Sequence, residues 1–198
     1  MSDRTLSADT LILASTSPRR YALLRQAGLS FSVIPSMIDE TAVPKDPPKS
    51  YVLQTAKAKA ADVSSRYPKN WVISADTIIV LSGQILGKPR DEQEARRMLC
   101  QLNNTVHTVL TGYCVCCKER DRSCSGVNET QVEFRSLSEV EIEWYLSTGE
   151  PFDKAGGYAI QGLGGILVTR IVGSYTSVVG LPLGEVVACL MDEKAVKR

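Results

Sequence analysis

Trp71-Val-Ile-Ser-Ala-Asp-Thr-Ile-Ile-Val-Leu81 is the most hydrophobic segment in the first half of the chain. A run of that length and β-branched content reads as a central strand buried on both faces, which requires a layered molecule around it. Asp76 interrupts the run. A carboxylate buried without a partner is costly, so an aspartate here calls for a metal, a cationic partner or a bend that brings it to a cleft. An Asp76-Thr77 hairpin turn is the alternative.

A second constraint lies at Leu11-Ile-Leu-Ala-Ser-Thr-Ser-Pro-Arg-Arg20. Leu11 to Ala14 suits a short buried strand, and Ser17-Pro18 supplies a hydroxyl N-cap with proline at the first helical position. Arg19 and Arg20 then stand in the first turn, where the helix dipole disfavours cations unless an anion lies between them and the unpaired N–H groups. That arrangement suits a phosphate. Two solvated arginines on an ordinary capped helix are the competing reading.

The chain has 198 residues, is 43% hydrophobic and 23% charged, and carries a net charge of +1. Those values fit a soluble globular protein and argue against non-specific attraction to nucleic acid or to an anionic membrane. No run approaches the roughly 20 apolar residues that span a bilayer, and Met1 to Thr10 is too polar for a secretory signal. A cytoplasmic protein with a loose extension over residues 1–10 is expected. Cys114, Cys116, Cys117 and Cys124 cluster without a histidine, and their spacing is not that of a zinc knuckle or ribbon. The inferred compartment also disfavours disulfides.

Along the chain, helices are expected at about 18–26, 51–64, 91–102 and 139–147, with a last one through about Met191, and strands at 31–35, 71–81, 84–86, 106–117, 131–134 and 166–171. The second helix puts Lys57 and Lys59 on different faces, so that one is aimed at a site and the other stays solvated. His107, the only histidine, is read on the polar side of its strand. Lys154 opens a glycine-rich stretch, Lys154 to Gly165, which suits close backbone approach to a ligand or a set of tightly bent edge strands. The mixture of elements, without repeats or a long linker, indicates an α/β protein with a mixed, bent sheet.

Arg19, Arg20, Glu40, Lys59, Asp76, Lys88, Lys154 and Gln161 are the polar residues placed where polarity is costly. Cations and helix N–H groups that hold phosphates, with carboxylates that hold Mg²⁺ and orient water, fit a polyphosphate ester. No serine–histidine or cysteine–histidine pair is evident, so attack by activated water is the simpler chemistry.

Leu13-Ala-Ser-Thr-Ser-Pro-Arg-Arg20, Asp39-Glu40, Ser74-Ala-Asp-Thr77, Gly87-Lys-Pro89, Lys154-Ala-Gly-Gly-Tyr-Ala-Ile-Gln-Gly162 and Val179-Gly-Leu-Pro-Leu183, in this order, closely resemble the Maf family of nucleoside triphosphate pyrophosphatases. The resemblance covers about residues 11–191. It implies an α/β fold related to inosine triphosphate pyrophosphatases, with two lobes around a deep cleft, one catalytic domain over 11–198, and frequent homodimers. It implies hydrolysis of a nucleoside triphosphate between the α- and β-phosphates. Asp76 matches the family's proton acceptor. Glu40, with Asp76, matches the ligands of a divalent metal, Mg²⁺ or Mn²⁺. Ser15, Ser17 and Arg20 match the phosphate-binding turn, and Lys59, Lys88 and Lys154 match substrate-binding lysines. Arg19, Thr77 and Gln161 are similar to the specificity residues of the dTTP/UTP branch, and a glutamine amide can both donate to and accept from a pyrimidine edge. One departure is Ala58, where the family often has glutamate, and it leaves open a nucleotide-binding regulator of cell division with weak catalysis.

Overall fold

The computed structural model describes residues 11–45 and 47–196; the expected extension over residues 1–10 lies outside them. Seven strands form one mixed sheet: β1 (Leu11–Leu13), β2 (Ser32–Val33), β3 (Trp71–Leu81), β4 (Gln84–Leu86), β5 (Val106–Cys117), β6 (Arg122–Phe134) and β7 (Val168–Val172). Six α-helices accompany them among the described residues: α1 (Pro18–Gln26), α2 (Pro48–Arg66), α3 (Glu92–Leu102), α4 (Glu139–Ser147), α5 (Tyr175–Val179) and α6 (Leu183–Asp192). The strand order is β2-β1-β3-β5-β6-β7, with β4 paired to β3. β1 runs parallel to β2 and β3, whereas β4 is antiparallel to β3 and β7 to β6. The α/β mixed-sheet expectation holds.

The chain divides into two compact units. The first comprises Met1–Asp76, Thr111–Asn128 and Gly180–Arg198, and the second Thr77–Leu110 and Glu129–Val179. β3, β5 and β6 each contribute residues to both.

In the first unit, Leu11 to Leu13 are fully covered, as a short apolar strand with neighbours on both edges must be. Ala56, Ala60 and Val63 recur at helical spacing on α2 and pack with Ile12, Val72 and Cys114. Small residues let helix and sheet approach closely. At Gly112 in β5 the approach is so close that a Cβ would overlap the Val52 carbonyl of α2. α2 begins at Pro48 rather than near Ser50, since a proline at the first turn loses no helical hydrogen bond. Ser50 instead accepts from the Gln54 side-chain amide at 2.7 Å.

A disulfide joins Cys124 in β6 to Cys189 in α6, with Cα atoms 6.2 Å apart. The sequence argument disfavoured any disulfide, and the structure corrects it. The two cysteines are 65 residues apart, and only the tertiary fold brings them within bridging distance.

In the second unit, Ala95, Leu99 and Leu102 of α3 and Ile142, Tyr145 and Leu146 of α4 bury their apolar stripes against Ile79, Val109 and Phe134 of the strands. α4 carries the expected capping box, in which Ser138 accepts the Glu141 N–H and the Glu141 side chain accepts the Ser138 N–H. The glycine-rich stretch forms 3₁₀ turns at Ala155–Gly157 and Gly162–Leu167 instead of edge strands. Gly156 takes φ +66 there, where a Cβ would meet Ile79 at 2.6 Å. β7 therefore starts later than expected, and the polar segment before Gly180 closes as the short α5. β2 is only two residues long, whereas β6 starts nine residues before the expected Gln131. Its early part follows the turn from β5 and alternates too weakly to be read as a strand.

Candidate functional site

The strand-to-helix turn forms in the first unit as its residues dictate. The Ala14 N–H donates to the Ile73 carbonyl at 2.8 Å, so the chain stays on the sheet through Ala14 and leaves it at Ser15. Ser17 adopts an extended conformation, and its hydroxyl oxygen accepts the Arg20 N–H at 3.4 Å, with Pro18 at the first helical position. The Ser17 N–H in turn donates to Ser15 Oγ at 3.2 Å. Arg20 folds back over the turn, where Nη1 donates to Ser15 Oγ at 3.1 Å and Nε to the Gly180 carbonyl at 2.8 Å. Ser15 Oγ thus accepts twice, which leaves its own O–H to donate outward. Burial draws the Arg20 guanidinium down from its ordinary pKa, and Asp76 and Glu40 act against that shift. The arginine therefore lies within the field of both carboxylates. The first turn of α1 holds no acidic residue.

Of the partners Asp76 could have, the structure supplies the cation. Lys59 Nζ lies 2.8 Å from Asp76 Oδ1 and 3.0 Å from Glu40 Oε1. The lysine and aspartate side chains are 9% and 11% exposed, while that of Glu40 is 50% exposed. An inner pair thus meets a half-solvated outer carboxylate. Lys59 is buried and Lys57 exposed, so the expected division between the two lysines of α2 is observed. Asp39 and Glu40 also divide their work. Asp39 accepts the Thr41 hydroxyl at 2.6 Å and N–H at 2.9 Å, capping the 3₁₀ turn Glu40–Ala42. Those bonds hold its carboxyl below the usual range, and Glu40 is left to reach Lys59.

Tyr51 is a residue that the sequence reading missed. It is buried, and burial, Asp76 and Glu40 push its phenol pKa up, keeping a neutral hydroxyl beside the carboxylates. The signal was available, because Tyr51, Thr55 and Lys59 recur every four residues on one face of α2.

Among the described residues, no three His, Cys, Asp or Glu side chains are grouped to hold a metal ion. Glu40 and Asp76 offer two hard oxygen donors, and Mg²⁺ is commonly held by one or two carboxylates with substrate phosphates completing its shell. The donor chemistry therefore fits Mg²⁺ or Mn²⁺ in company with a polyphosphate.

Thr77, Lys88, Lys154 and Gln161 belong to the second unit. Thr77 follows Asp76 in β3 and is half-buried, and Lys88 is exposed in the loop after β4. Lys154 donates to the Glu150 carbonyl at 2.6 Å and pairs with Asp153, so its ammonium also anchors its own loop. Gln161 is exposed at the N-cap position of the turn Gly162–Leu167. That turn is fixed by Glu150, a second missed residue. Glu150 Oε1 accepts the Gly164 N–H and the Tyr145 hydroxyl, each at 2.9 Å, and Oε2 accepts the Leu163 N–H at 3.1 Å. Burial opposes its charge, yet these three donors hold the carboxyl below its ordinary pKa.

The reading of His107 on a polar face is corrected. It is 2% exposed, its Nε2 is 2.6 Å from the Tyr158 hydroxyl, and it packs edge-on to the rings of Phe134 and Tyr158. Burial lowers its pKa to about 4. His107 shares its face of β5 with Val109 and Thr111, and that face is the covered one, whereas Val106 on the opposite face is exposed, so the polarity of the side chains assigned inside and outside the wrong way round.

A family model described as Maf-like protein matches residues 10–193. The chain is 50% identical over 181 residues to a dTTP/UTP pyrophosphatase of Desulfotalea psychrophila, covering 91% of this chain and 93% of that protein. It is 50% identical over 188 residues to a dTTP/UTP pyrophosphatase of Anaeromyxobacter dehalogenans, covering 92% and 93%. A solved structure of the Staphylococcus aureus Ham1 protein aligns with TM-score 0.45 and 14% identity, over 79% of this chain and 78% of that one.

Proposed function

The chain belongs to the Maf-like protein family, and from that premise we propose that it is a nucleoside triphosphate pyrophosphatase acting on dTTP and UTP, as its close relatives are named. It hydrolyses the bond between the α- and β-phosphates and releases the monophosphate and pyrophosphate. The observation that carries the reading down to individual residues is the bridge from Asp76 through Lys59 to Glu40, in the same unit as the Arg20 turn.

In this reading Asp76 accepts the proton of the attacking water, and Lys59 fixes the carboxylate by its bond to Oδ1. Ser15, Ser17, Arg20 and the first N–H groups of α1 receive the triphosphate, with the guanidinium already turned inward by its bonds to Ser15 and Gly180. Glu40 and Asp76 would hold a Mg²⁺ or Mn²⁺ ion, which would supply charge neutralisation on the triphosphate. Lys88 and Lys154 add positive charge for the phosphates. Arg19, Thr77 and Gln161 select the base, with the Gln161 amide donating to and accepting from the pyrimidine edge. Ala58 is half-buried and offers no ligand, so the two carboxylates would carry the metal without a third from α2. The substrates are intracellular nucleotides, which suits a cytoplasmic protein; among the described residues no helix is long and apolar enough to cross a membrane. Nucleic acid and membrane are not among the proposed partners, and a homodimer is the proposed assembly.

A nucleotide-binding regulator with weak catalysis is not favoured, since the curated relatives are named for hydrolysis. The test is a screen of nucleoside triphosphates in saturating Mg²⁺ or Mn²⁺ with a pyrophosphate-specific readout. Turnover of dTTP and UTP with pyrophosphate as first product is expected. Release of orthophosphate first, or binding of UTP without turnover, would overturn the reading.

A further inference from the structure

Gln161 lies within residues 159–164 of the second unit. Its side chain is exposed and, although it occupies the N-cap position of the turn Gly162–Leu167, it makes no capping hydrogen bond. The backbone on either side of it, by contrast, is held. The Ala159 N–H donates to the Tyr145 hydroxyl oxygen at 3.3 Å, and that hydroxyl donates in turn to Glu150 Oε1 at 2.9 Å. From the other side, the Gly164 N–H reaches the same carboxylate oxygen at 2.9 Å, and the Leu163 N–H reaches Oε2 at 3.1 Å. Both ends of the segment therefore converge on one carboxylate, one directly and the other through a phenol.

The segment closes tightly around these groups. A Cβ on Gly164 would lie 2.3 Å from the Ala159 carbonyl oxygen and 2.6 Å from the Tyr145 hydroxyl, so the two ends touch. Gly162 takes φ +71, and a Cβ there would lie 2.7 Å from Glu150 Oε2. The acceptors are themselves fixed. Tyr145 is buried on α4. Glu150 opens the 3₁₀ turn Glu150–Asp153, and its N–H donates at 3.2 Å to the Thr148 hydroxyl, which donates to the Tyr145 carbonyl at 2.6 Å. The Glu150 carbonyl also accepts Lys154 Nζ at 2.6 Å, so this residue holds the Gln161 segment with its side chain and the Lys154 ammonium with its main chain. A carboxylate that served only the turn Gly162–Leu167 would need no more than the Leu163 and Gly164 N–H groups. The phenol extends the hold to Ala159, and it is the glutamine that is bracketed.

UTP and ATP present their base edges at different distances from the triphosphate, because one base has a single ring and the other two. An amide free to drift serves either edge, whereas one pinned on both flanks serves the edge for which it is set. Resting on the reading of Gln161 as the residue that meets the base, we propose that Glu150 and Tyr145 are positioning residues for base selection. The carboxylate and the phenol fix where the Gln161 amide stands and so favour the single ring of UTP or dTTP over a purine. Neither belongs to the unit that carries Asp76, so the effect falls on binding of the base rather than on the attack of water.

The test is a double-mutant cycle, read as the ratio of kcat/KM for UTP to that for ATP in saturating Mg²⁺ with a pyrophosphate readout. Gln161→Ala is expected to lower the ratio about tenfold, as the loss of one specific hydrogen bond does. Glu150→Gln keeps the side chain's size but turns an amide NH₂ toward one of the backbone donors, and is expected to lower the ratio several-fold through the KM for UTP rather than through kcat. Tyr145→Phe releases the Ala159 N–H and is expected to act in the same direction, which keeps the test decisive where Glu150→Gln fails to fold. In the Gln161→Ala background neither substitution should lower the ratio further. An equal fall in both backgrounds overturns the proposal, because the effect is then not routed through Gln161. So does an unchanged ratio in Glu150→Gln and Tyr145→Phe where Gln161→Ala relaxes it, and the base-selecting role of Gln161 then stands alone. If Gln161→Ala leaves the ratio unchanged, that role falls and the proposal falls with it.

Discussion

At the scale of single residues, Asp76 and Lys59 depend on one another, and the consequences of removing them differ. Asp76→Asn keeps an oxygen facing Lys59 Nζ, so the hydrogen bond at 2.8 Å has a substitute. The proposed proton acceptor, however, is lost. Turnover is expected to fall by about 10²–10⁴-fold, with the melting temperature nearly unchanged, checked by pyrophosphate release and calorimetry on the same preparation. His107 gives a pH prediction. Its pKa is about 4 in the folded chain against an ordinary 6.5, so the unfolded chain binds the proton first as pH falls. The contribution of neutral His107 to stability is complete above pH 6.5, is lost progressively down to about pH 4, and changes no further below that. The loss is on the order of 3 kcal/mol. Urea unfolding of the native chain and His107→Gln at about pH 7 and about pH 5 checks this: the difference between them should shrink at the lower pH. Asp76 was legible in the sequence because a carboxylate inside an apolar strand needs a reason. Tyr51 was legible only through its spacing from Lys59 on α2, and Glu150 was not legible, since its role depends on the backbone N–H groups that the fold sets beside it.

At the scale of elements, α2 does more than any other helix. One flank carries Lys59 and Tyr51, the middle packs Ala56, Ala60 and Val63 on the sheet, and Ala61, Ser64 and Ser65 line a cavity beside Cys116 and Cys117. Its seat depends on Gly112, where β5 runs against the Val52 carbonyl. Gly112→Ala should push the N-terminal half of α2 off the sheet at a cost of roughly 1–3 kcal/mol. Because the same helix holds Lys59, turnover should fall with stability. Chemical denaturation and a UTP assay on this one variant test both, and unchanged values for both would show that α2 is not held in this way. Helices and long strands were legible because their periods, caps and apolar runs are local. The shortness of β2 and the start of β6 were not, because their pairing is set by neighbours distant in sequence rather than by their own alternation.

For the molecule as a whole, the Cys124–Cys189 disulfide encloses the stretch Glu129–Val179, the larger part of the second unit, in a loop fixed at both ends to the first. Cross-linking residues 65 positions apart is worth roughly 2–4 kcal/mol through the entropy of the unfolded chain. Cys124→Ser with Cys189→Ser should lower the denaturation midpoint by a corresponding amount relative to the oxidised chain, and an equal midpoint would mean that the bond adds nothing. This link could not be read from spacing, which shows cysteines near one another in sequence and not those that the fold brings together. The bond from Arg20 to the Gly180 carbonyl spans 160 positions, and β1 takes β3 as a parallel partner only after the whole of α2 has been made. Contacts of such long range are slow to close. On the ribosome, Arg20 emerges well before Gly180, and it lacks that anchor until residue 180 follows. A growing chain therefore completes the Arg20 turn only late, so, with that turn proposed to receive the triphosphate, an unfinished product is expected to be silent toward the cell's triphosphates.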